Sequence, residues 1–272
     1  MQYEPIKRSV GRFFSGSVFG RKLMYFFLDL LLLRTWHVKR AVRNITNKLP
    51  PDACILDAGS GMGQYSWWLS KLKPAWRIKG VDINQNETDD CNRFFNTAGL
   101  SGRVGFSCED LTLFSESDAF NLVLSVDVME HIADDDKVFR NFYSSMRDDG
   151  ILIISTPSDQ GGSDVHDDDD ESFIGEHVRN GYGREEIAEK LKKAGFSRAE
   201  ASYTYGKPGS LSWRLSMKYP IKLLNISKAF FLVLPFYYIL VLPVSMILNY
   251  LDVCLTHKKG TGLLVFAFKD KR

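Results

Sequence analysis

The sequence has few cysteines, and the four it has, Cys54, Cys91, Cys108 and Cys254, lie far apart with no Cys-x-x-Cys pair. A disulfide framework is therefore not expected. Cys54 and Cys108 fall in apolar or strand-like runs, which suits buried free thiols in a reducing compartment. An excess of one charge is also missing. Thirty-five basic residues stand against 33 acidic ones, for a net charge of +2, so nothing predicts a nucleic-acid partner. No internal repeat is visible. A chain of 272 residues can bury one substantial core, with about 50–80 residues left for appendages.

The first 50 residues contain a deceptive pattern. Lys7, Arg8, Arg12, Arg21 and Lys22 precede the apolar run 23–33, as in a secretory signal. Asp29 interrupts that run, and Arg34-Thr-Trp-His-Val-Lys-Arg follows where small residues should mark a cleavage site. The run is also too short to cross a bilayer. It reads as an amphipathic helix, packed on the domain or lying on a membrane surface, within an N-terminal cap of residues 1–50.

From residue 53 short apolar runs alternate with helical stretches, the pattern of β-α-β units and a parallel sheet. Strands are expected at 54–57, 77–82, 104–107, 120–126, 151–154, 196–205 and 262–269. Helices are expected at 62–72, 87–98, 134–147 and 184–194. The fourth strand is continuously apolar, as a strand covered on both faces should be. Asp148-Asp-Gly150 reads as the end of a helix, and residues 158–183 as a long acidic loop.

Strand one runs into Asp57-Ala-Gly59-Ser-Gly61-Met-Gly63. Glycines are needed where backbone turns tightly and approaches a ligand that a Cβ would obstruct. Asp82, at the end of strand two, stands about 20 residues on, where a carboxylate can accept both ribose hydroxyls of a nucleoside. A dinucleotide fingerprint would require glycine or alanine at position 64, and Gln64 is there.

Together with Gly80-Val-Asp-Ile83, Cys108-Glu-Asp-Leu111 and Phe120-Asn-Leu-Val-Leu-Ser-Val-Asp-Val-Met-Glu-His-Ile132, these runs resemble class I S-adenosylmethionine (SAM)-dependent methyltransferases of the small-molecule and lipid type. The resemblance covers 53–157 and, more loosely, 177–205 and 262–269. It implies an α/β, Rossmann-like seven-stranded sheet with six parallel strands, an antiparallel last strand and helices on both faces. It also implies SAM as cofactor. Asp57, Gly59, Ser60, Gly61 and Gly63 would hold the methionine part and Asp82 the ribose. Ile83 would pack on adenine, Asp110 would hydrogen-bond the adenine amino group with Leu111 beside it, and Val126 and Asp127 would border the sulfonium. Asp82 and Asp110 have a plainer alternative as strand-end polar residues.

The catalytic candidates follow strand four, at the carboxyl edge where ligands bind: Asp127, Glu130 and His131. His131 could act as general base on a hydroxyl. Asp127-x-x-Glu130-His131 also resembles the acid-x-x-Glu-His metal motif of ubiquinone-pathway O-methyltransferases and small-RNA 2′-O-methyltransferases, although the first acid here is Asp. Without a further ligand from His166 or His177, no metal is assigned. The stretch His166-Asp-Asp-Asp-Asp-Glu171 reads as a solvated lid. The stretch that follows, 176–182, resembles the substrate cover of lipid- and sugar-modifying relatives. His177, Arg179 and Tyr182 are the substrate-side candidates there, with capping and packing as their alternative.

The sixth and seventh strands are separated by residues 207–260, far too many for a hairpin turn. Residues 229–251 contain 23 consecutive positions without a charge, long enough to span a bilayer. Strand seven must return to the same sheet, so both ends of the insertion must emerge on one side. Lys218, Lys222 and Lys228 before the run, and His257-Lys-Lys259 after it, favour a cytoplasmic face at both ends. Pro235 and Pro243 are expected to break the run into a re-entrant or interfacial hairpin, preceded by an interfacial helix over 213–226. The alternatives are a dry cap over the site or a homodimer interface.

The expected protein is a methyltransferase of 51–206 and 261–272, peripheral or monotopic at the cytoplasmic face of the inner membrane. It would act on a hydroxyl of a quinone-like or lipid-linked acceptor. A soluble small molecule or sugar is the alternative acceptor, and a non-catalytic SAM-binding scaffold is the alternative of another class.

Overall fold

The computed structural model describes residues 17–161 and 178–271. His166, the acidic run 166–171 and His177 lie outside the described residues.

Seven strands form one sheet: β1 (Cys54–Ala58), β2 (Arg77–Asp82), β3 (Val104–Cys108), β4 (Phe120–Val126), β5 (Met146–Pro157), β6 (Arg198–Thr204) and β7 (Gly262–Phe268). Their order is β3-β2-β1-β4-β5-β7-β6. The first five are parallel, and β7 is antiparallel to both β5 and β6. The expected sheet is the observed one. Its central strands send successive side chains to opposite cores, as a period of two requires. Ile55, Leu122, Leu124, Ile151 and Ile153 face one core, while Leu56, Val123, Leu152 and Ile154 face the other.

The first core is covered by α1 (Val18–Leu31), α2 (Leu33–Ile45), α3 (Gln64–Leu72) and α4 (Gln85–Thr97). The second is covered by α5 (Asp135–Ser145) and α6 (Arg184–Lys193). Start signals explain several of these boundaries. Ser17 Oγ accepts from Gly20 N, Asn84 Oδ1 from Asn86 N and Asp134 Oδ1 from Lys137 N, each satisfying a donor that the first turn leaves unpaired. Asp148-Asp-Gly150 differs from expectation. It does not end a helix but belongs to β5, where pairing shifts from Phe120–Met146 to Leu122–Ile151 across a bulge.

In the N-terminal segment Arg21 is buried. Its Nη2 donates to Met62 O, its Nε to Tyr25 Oη, and it pairs with Asp90. Tyr25 Oη also donates to Met62 O. Asp29, the residue that breaks the apolar run, accepts from Gln64 Nε2 and pairs with Lys39.

The insertion consists of α7 (Lys207–Trp213), a π turn (Arg214–Lys218), α8 (Tyr219–Ile226), a 3-10 turn (Lys228–Leu232) and α9 (Leu234–Cys254). Its two limbs run antiparallel. Gly209 N donates to Asp252 Oδ1, Ser212 Oγ to Ser245 O, Tyr237 Oη to Leu215 O and Tyr238 Oη to Ser216 O. The last two acceptors lie in the π turn, whose wider winding leaves carbonyls available.

Two expectations fail here. Pro235 falls in the first turn of α9, where its missing N–H costs nothing. Pro243 lies inside a helix that stays continuous for 21 residues, so the chain reverses in the turn Lys228–Leu232, at the start of the uncharged run and before either proline. Lys228 consequently sits at the tip and His257–Lys259 at the base, so the basic flanks occupy opposite ends of a helix about 31 Å long.

Candidate functional site

The carboxyl ends of β1 to β6 and the start of β7 share one edge of the sheet. The cofactor half lies over β1–β3. Gly59, Gly61 and Gly63 all take positive φ, at +78°, +46° and +75°. An added Cβ on Gly59 would come within 2.1 Å of Val128 Cγ2, so both conformation and space demand glycine there. Gly59 N and Ser60 N donate to Val81 O, which ties the loop to β2.

Asp82 supports the loop directly: Oδ2 accepts from Gly61 N at 2.8 Å and Oδ1 from Asn84 N at 2.9 Å. Each carboxylate oxygen retains a lone pair for a ribose hydroxyl. Ile83 is 75% exposed, an apolar surface open among the described residues. Asp110 is half-buried, with Oδ1 accepting from Thr112 N. Leu113 is exposed just beyond and was not signalled by the sequence. The glycine cradle, the two carboxylates and the uncovered Ile83 fit SAM. Leu111 does not present its side chain, which lies in the second core. Val126 is half-buried against the first.

Asp57 has a role other than gripping the methionine part. Its buried carboxylate accepts from Ser66 N at 3.0 Å and Ser66 Oγ at 2.6 Å. The residue before α3 is Gly63, which has no side chain to cap the helix. Asp57 supplies that cap from β1, with the helix dipole favouring its charge. Burial pushes its carboxyl up to about 6, against the two Ser66 hydrogen bonds and with the help of the Asp82 charge.

The catalytic candidates separate. Asp127 takes a left-handed φ of +53°, anchored by its N–H to Ser155 O, and ion-pairs with Arg34 from the first turn of α2. Glu130 is buried and accepts from Thr156 Oγ1 at 3.1 Å. Burial raises its carboxyl above the usual range despite its own backbone N–H, the neighbouring His131 and Thr156. His131 is exposed on the following turn. Among the described residues no three His, Cys, Asp or Glu gather to hold a metal ion. Glu130 turns inward to Thr156, so among the described residues Asp127, Glu130 and His131 do not gather as a ligand set.

Beside Asp127 lies a cavity of about 160 Å³, walled by Arg34, Thr156, Thr204, Tyr205, Ser210 and Trp213 among others. Neither Glu130 nor His131 lines it. Arg179 and Tyr182 do not line it either. Arg179 pairs with Asp135, and the buried Tyr182 Oη donates to Asp135 Oδ2 at 2.7 Å. Both fasten the chain after the acidic loop to the start of α5.

The sequence reading missed Arg34, which looked like a helix flank, and Trp213, which looked interfacial. No local spacing marks either one, because both reach the site through the N-terminal cap and the insertion.

Comparison with known proteins agrees with this layout. Methyltransferase GfsG of Streptomyces halstedii is 29% identical over 102 residues, covering 37% of this chain and 36% of that protein. The mitochondrial ubiquinone biosynthesis O-methyltransferase of Saccharomyces cerevisiae is 26% identical over 112 residues, covering 39% and 34%. The chain thus matches about a third of the length of these relatives. Haemonchus contortus phosphoethanolamine N-methyltransferase 2 in complex with S-adenosyl-L-methionine shares the fold. Its TM-score is 0.59 at 21% identity, over 85% of this chain and 53% of that one. The family model described as a methyltransferase domain matches residues 34–200, more than half of the sequence, and the chain belongs to that family.

Proposed function

We propose that the protein transfers a methyl group from SAM to a hydroxyl of a lipophilic acceptor taken from the cytoplasmic surface of a membrane. The observation that carries the membrane part is the inverted polarity of the insertion. The buried residues of α9 are Ser245, Asn249 and Asp252, packed on a limb whose buried residues are Gly209, Ser212, Ser216 and Pro220. Phe236, Ile239, Leu240 and Ile247 instead are 62–76% exposed. Small and polar inside with apolar outside is the arrangement of helices that pack within lipid. Lysines at both tip and base suit a hairpin lying along the interface, with its apolar side in the acyl boundary. Phe19, Phe26 and Phe27 on α1 add exposed apolar surface.

SAM, when bound, supplies an electrophilic methyl carbon whose transfer forms the new oxygen–carbon bond and breaks the sulfur–carbon bond, releasing S-adenosylhomocysteine. The chain's own work is to hold the acceptor hydroxyl in line and accept its proton. Asp127 takes that role in this reading in place of His131, because it alone of the three candidates lines the cavity.

Incubation with methyl-labelled SAM and a membrane lipid extract tests the activity, and label is expected in an organic-phase product. Label confined to water-soluble material sinks the lipophilic acceptor. Flotation with anionic liposomes tests the surface. The triple variant Phe236→Glu, Leu240→Glu, Ile247→Glu should stay at the bottom of the gradient while binding S-adenosylhomocysteine as before. Unchanged flotation, or a dimeric wild type that the variant makes monomeric, would assign the hairpin to a homodimer interface.

A further inference from the structure

Arg34 and Asp127 are the charged residues among those walling the cavity, and they are paired with each other. They are 36% and 32% exposed, so the pair faces the space where an acceptor must sit. The rest of the wall is rich in hydroxyls from Ser155, Thr204, Tyr205, Ser210 and Thr261. Tyr205 stays protonated at neutral pH, because burial pushes its phenol up to about 12 against the opposing Arg34 charge. An apolar acceptor alone gives no reason for a guanidinium here. Against hydrocarbon a guanidinium needs a charged partner, which Asp127 supplies here.

The cavity is close to the size that holds one benzene ring, so it admits a headgroup and not a whole lipid. Its wall of Ser210 and Trp213 belongs to α7, the limb that continues into the apolar hairpin. A headgroup in the cavity therefore has apolar surface beside it for a chain.

We infer that Arg34 is an acceptor-recognition residue for an anionic oxygen group, carboxylate or phosphate, and that Asp127 holds that position until the acceptor arrives. The acceptor's anion replaces the Asp127 carboxylate on the guanidinium fork, which suits bidentate oxygen anions. The same exchange frees Asp127 to accept a hydrogen bond from the neighbouring hydroxyl. The substrate class becomes hydroxylated amphiphiles that carry an anion near the methylated oxygen. This rests on the cavity being the acceptor site proposed above.

The test is calorimetric titration of the full-length protein, saturated with S-adenosylhomocysteine, with butyl phosphate, with dodecyl phosphate below its micelle concentration and with dodecanol below its solubility limit. Wild type should bind dodecyl phosphate at least tenfold more tightly than dodecanol. Arg34→Gln should lose that preference and Arg34→Lys should keep part of it. Asp127→Asn should bind dodecyl phosphate at least threefold more tightly than wild type, because the internal competitor is gone. A purely structural pair would make both Arg34→Gln and Asp127→Asn weaker binders. S-adenosylhomocysteine affinity within threefold of wild type verifies that each variant is folded. The proposal is overturned by a wild type indifferent to charge, by Arg34→Gln retaining the preference, or by Asp127→Asn binding more weakly. Equal affinity for butyl and dodecyl phosphate would sink the lipophilic reading while leaving Arg34 in place. A chain-length effect without an anion preference would do the reverse.

Discussion

His37 Nε2 lies 2.9 Å from Asp252 Oδ2, joining positions 215 residues apart in the chain. Asp252 is fully buried at the base of the hairpin. It also accepts from Tyr205 N and Gly209 N and lies 3.2 Å from His257 Nε2. One carboxylate thus gathers α2, the end of β6, α7, α9 and the approach to β7. Burial opposes its charge, but His37, His257 and the Gly209 N–H together hold its carboxyl below the usual range.

Removing one partner of a buried pair leaves the other uncompensated, at a cost of about 3–5 kcal/mol. Asp252→Asn or His37→Ala should therefore lower stability by about 3 kcal/mol, read by urea denaturation. Because the Asp252 carboxyl is depressed, its contribution is present above the unfolded carboxylate pKa and is lost as pH falls through the lower folded value. Stability of the wild type should drop more steeply across that acidic window than that of Asp252→Asn, which keeps the depressed carboxyls of Asp135 and Glu109. Equal acid sensitivity in the two proteins would refute the role of the pair.

Asp57 has the opposite sign. Its carboxyl rises from 3.8 unfolded to about 6 folded, so the folded state keeps a proton that the unfolded chain has released. Its contribution is complete below pH 3.8, declines as pH rises and is gone above about 6. The stability difference between wild type and Asp57→Asn should fall by about 2 kcal/mol from pH 4 to pH 7. A flat difference across that range contradicts the buried-cap assignment.

Gly59→Ala should abolish measurable S-adenosylhomocysteine binding, because the new methyl would meet Val128 Cγ2 at 2.1 Å. Adding Val128→Ala removes the two nearest atoms and leaves the tight 3.1 Å approach to the Cβ of residue 128 with the left-handed strain, about 1–2 kcal/mol. The double variant should regain binding to within about 30-fold of wild type, roughly the factor that strain represents. No recovery at all would mean that the loop approaches the ligand more closely than Val128 alone accounts for.

The parts of the site legible in the sequence are those encoded over short spans. A strand must end where Asp57 meets Gly59, and Asp82 must close the next strand over the same edge, so order and spacing alone bring them together. Asp57 was assigned to the right place with a different partner. The glycine at position 63 leaves α3 uncapped, and only the fold shows which carboxylate reaches Ser66. The sequence offers Arg179 and Tyr182 as substrate-facing because their stretch resembles the substrate cover of lipid- and sugar-modifying relatives, with capping and packing as the alternative. Packing is what the structure shows. Their shared contact with Asp135 depends on how that stretch docks on α5, which no local pattern encodes.

Short-range chemistry therefore determined the sheet, the glycine cradle and the presence of a long uncharged run. Periodicity and backbone sterics act between near neighbours, so a linear reading recovers them. Tertiary structure alone decided that Arg21 supports the glycine loop from α1 and that Arg34 meets Asp127 over the cavity. It also decided that the prolines leave α9 unbroken, with its polar face inward. These outcomes depend on which distant surfaces meet and what dielectric they share. Burial and pairing energies of that kind appear only when the chain has folded.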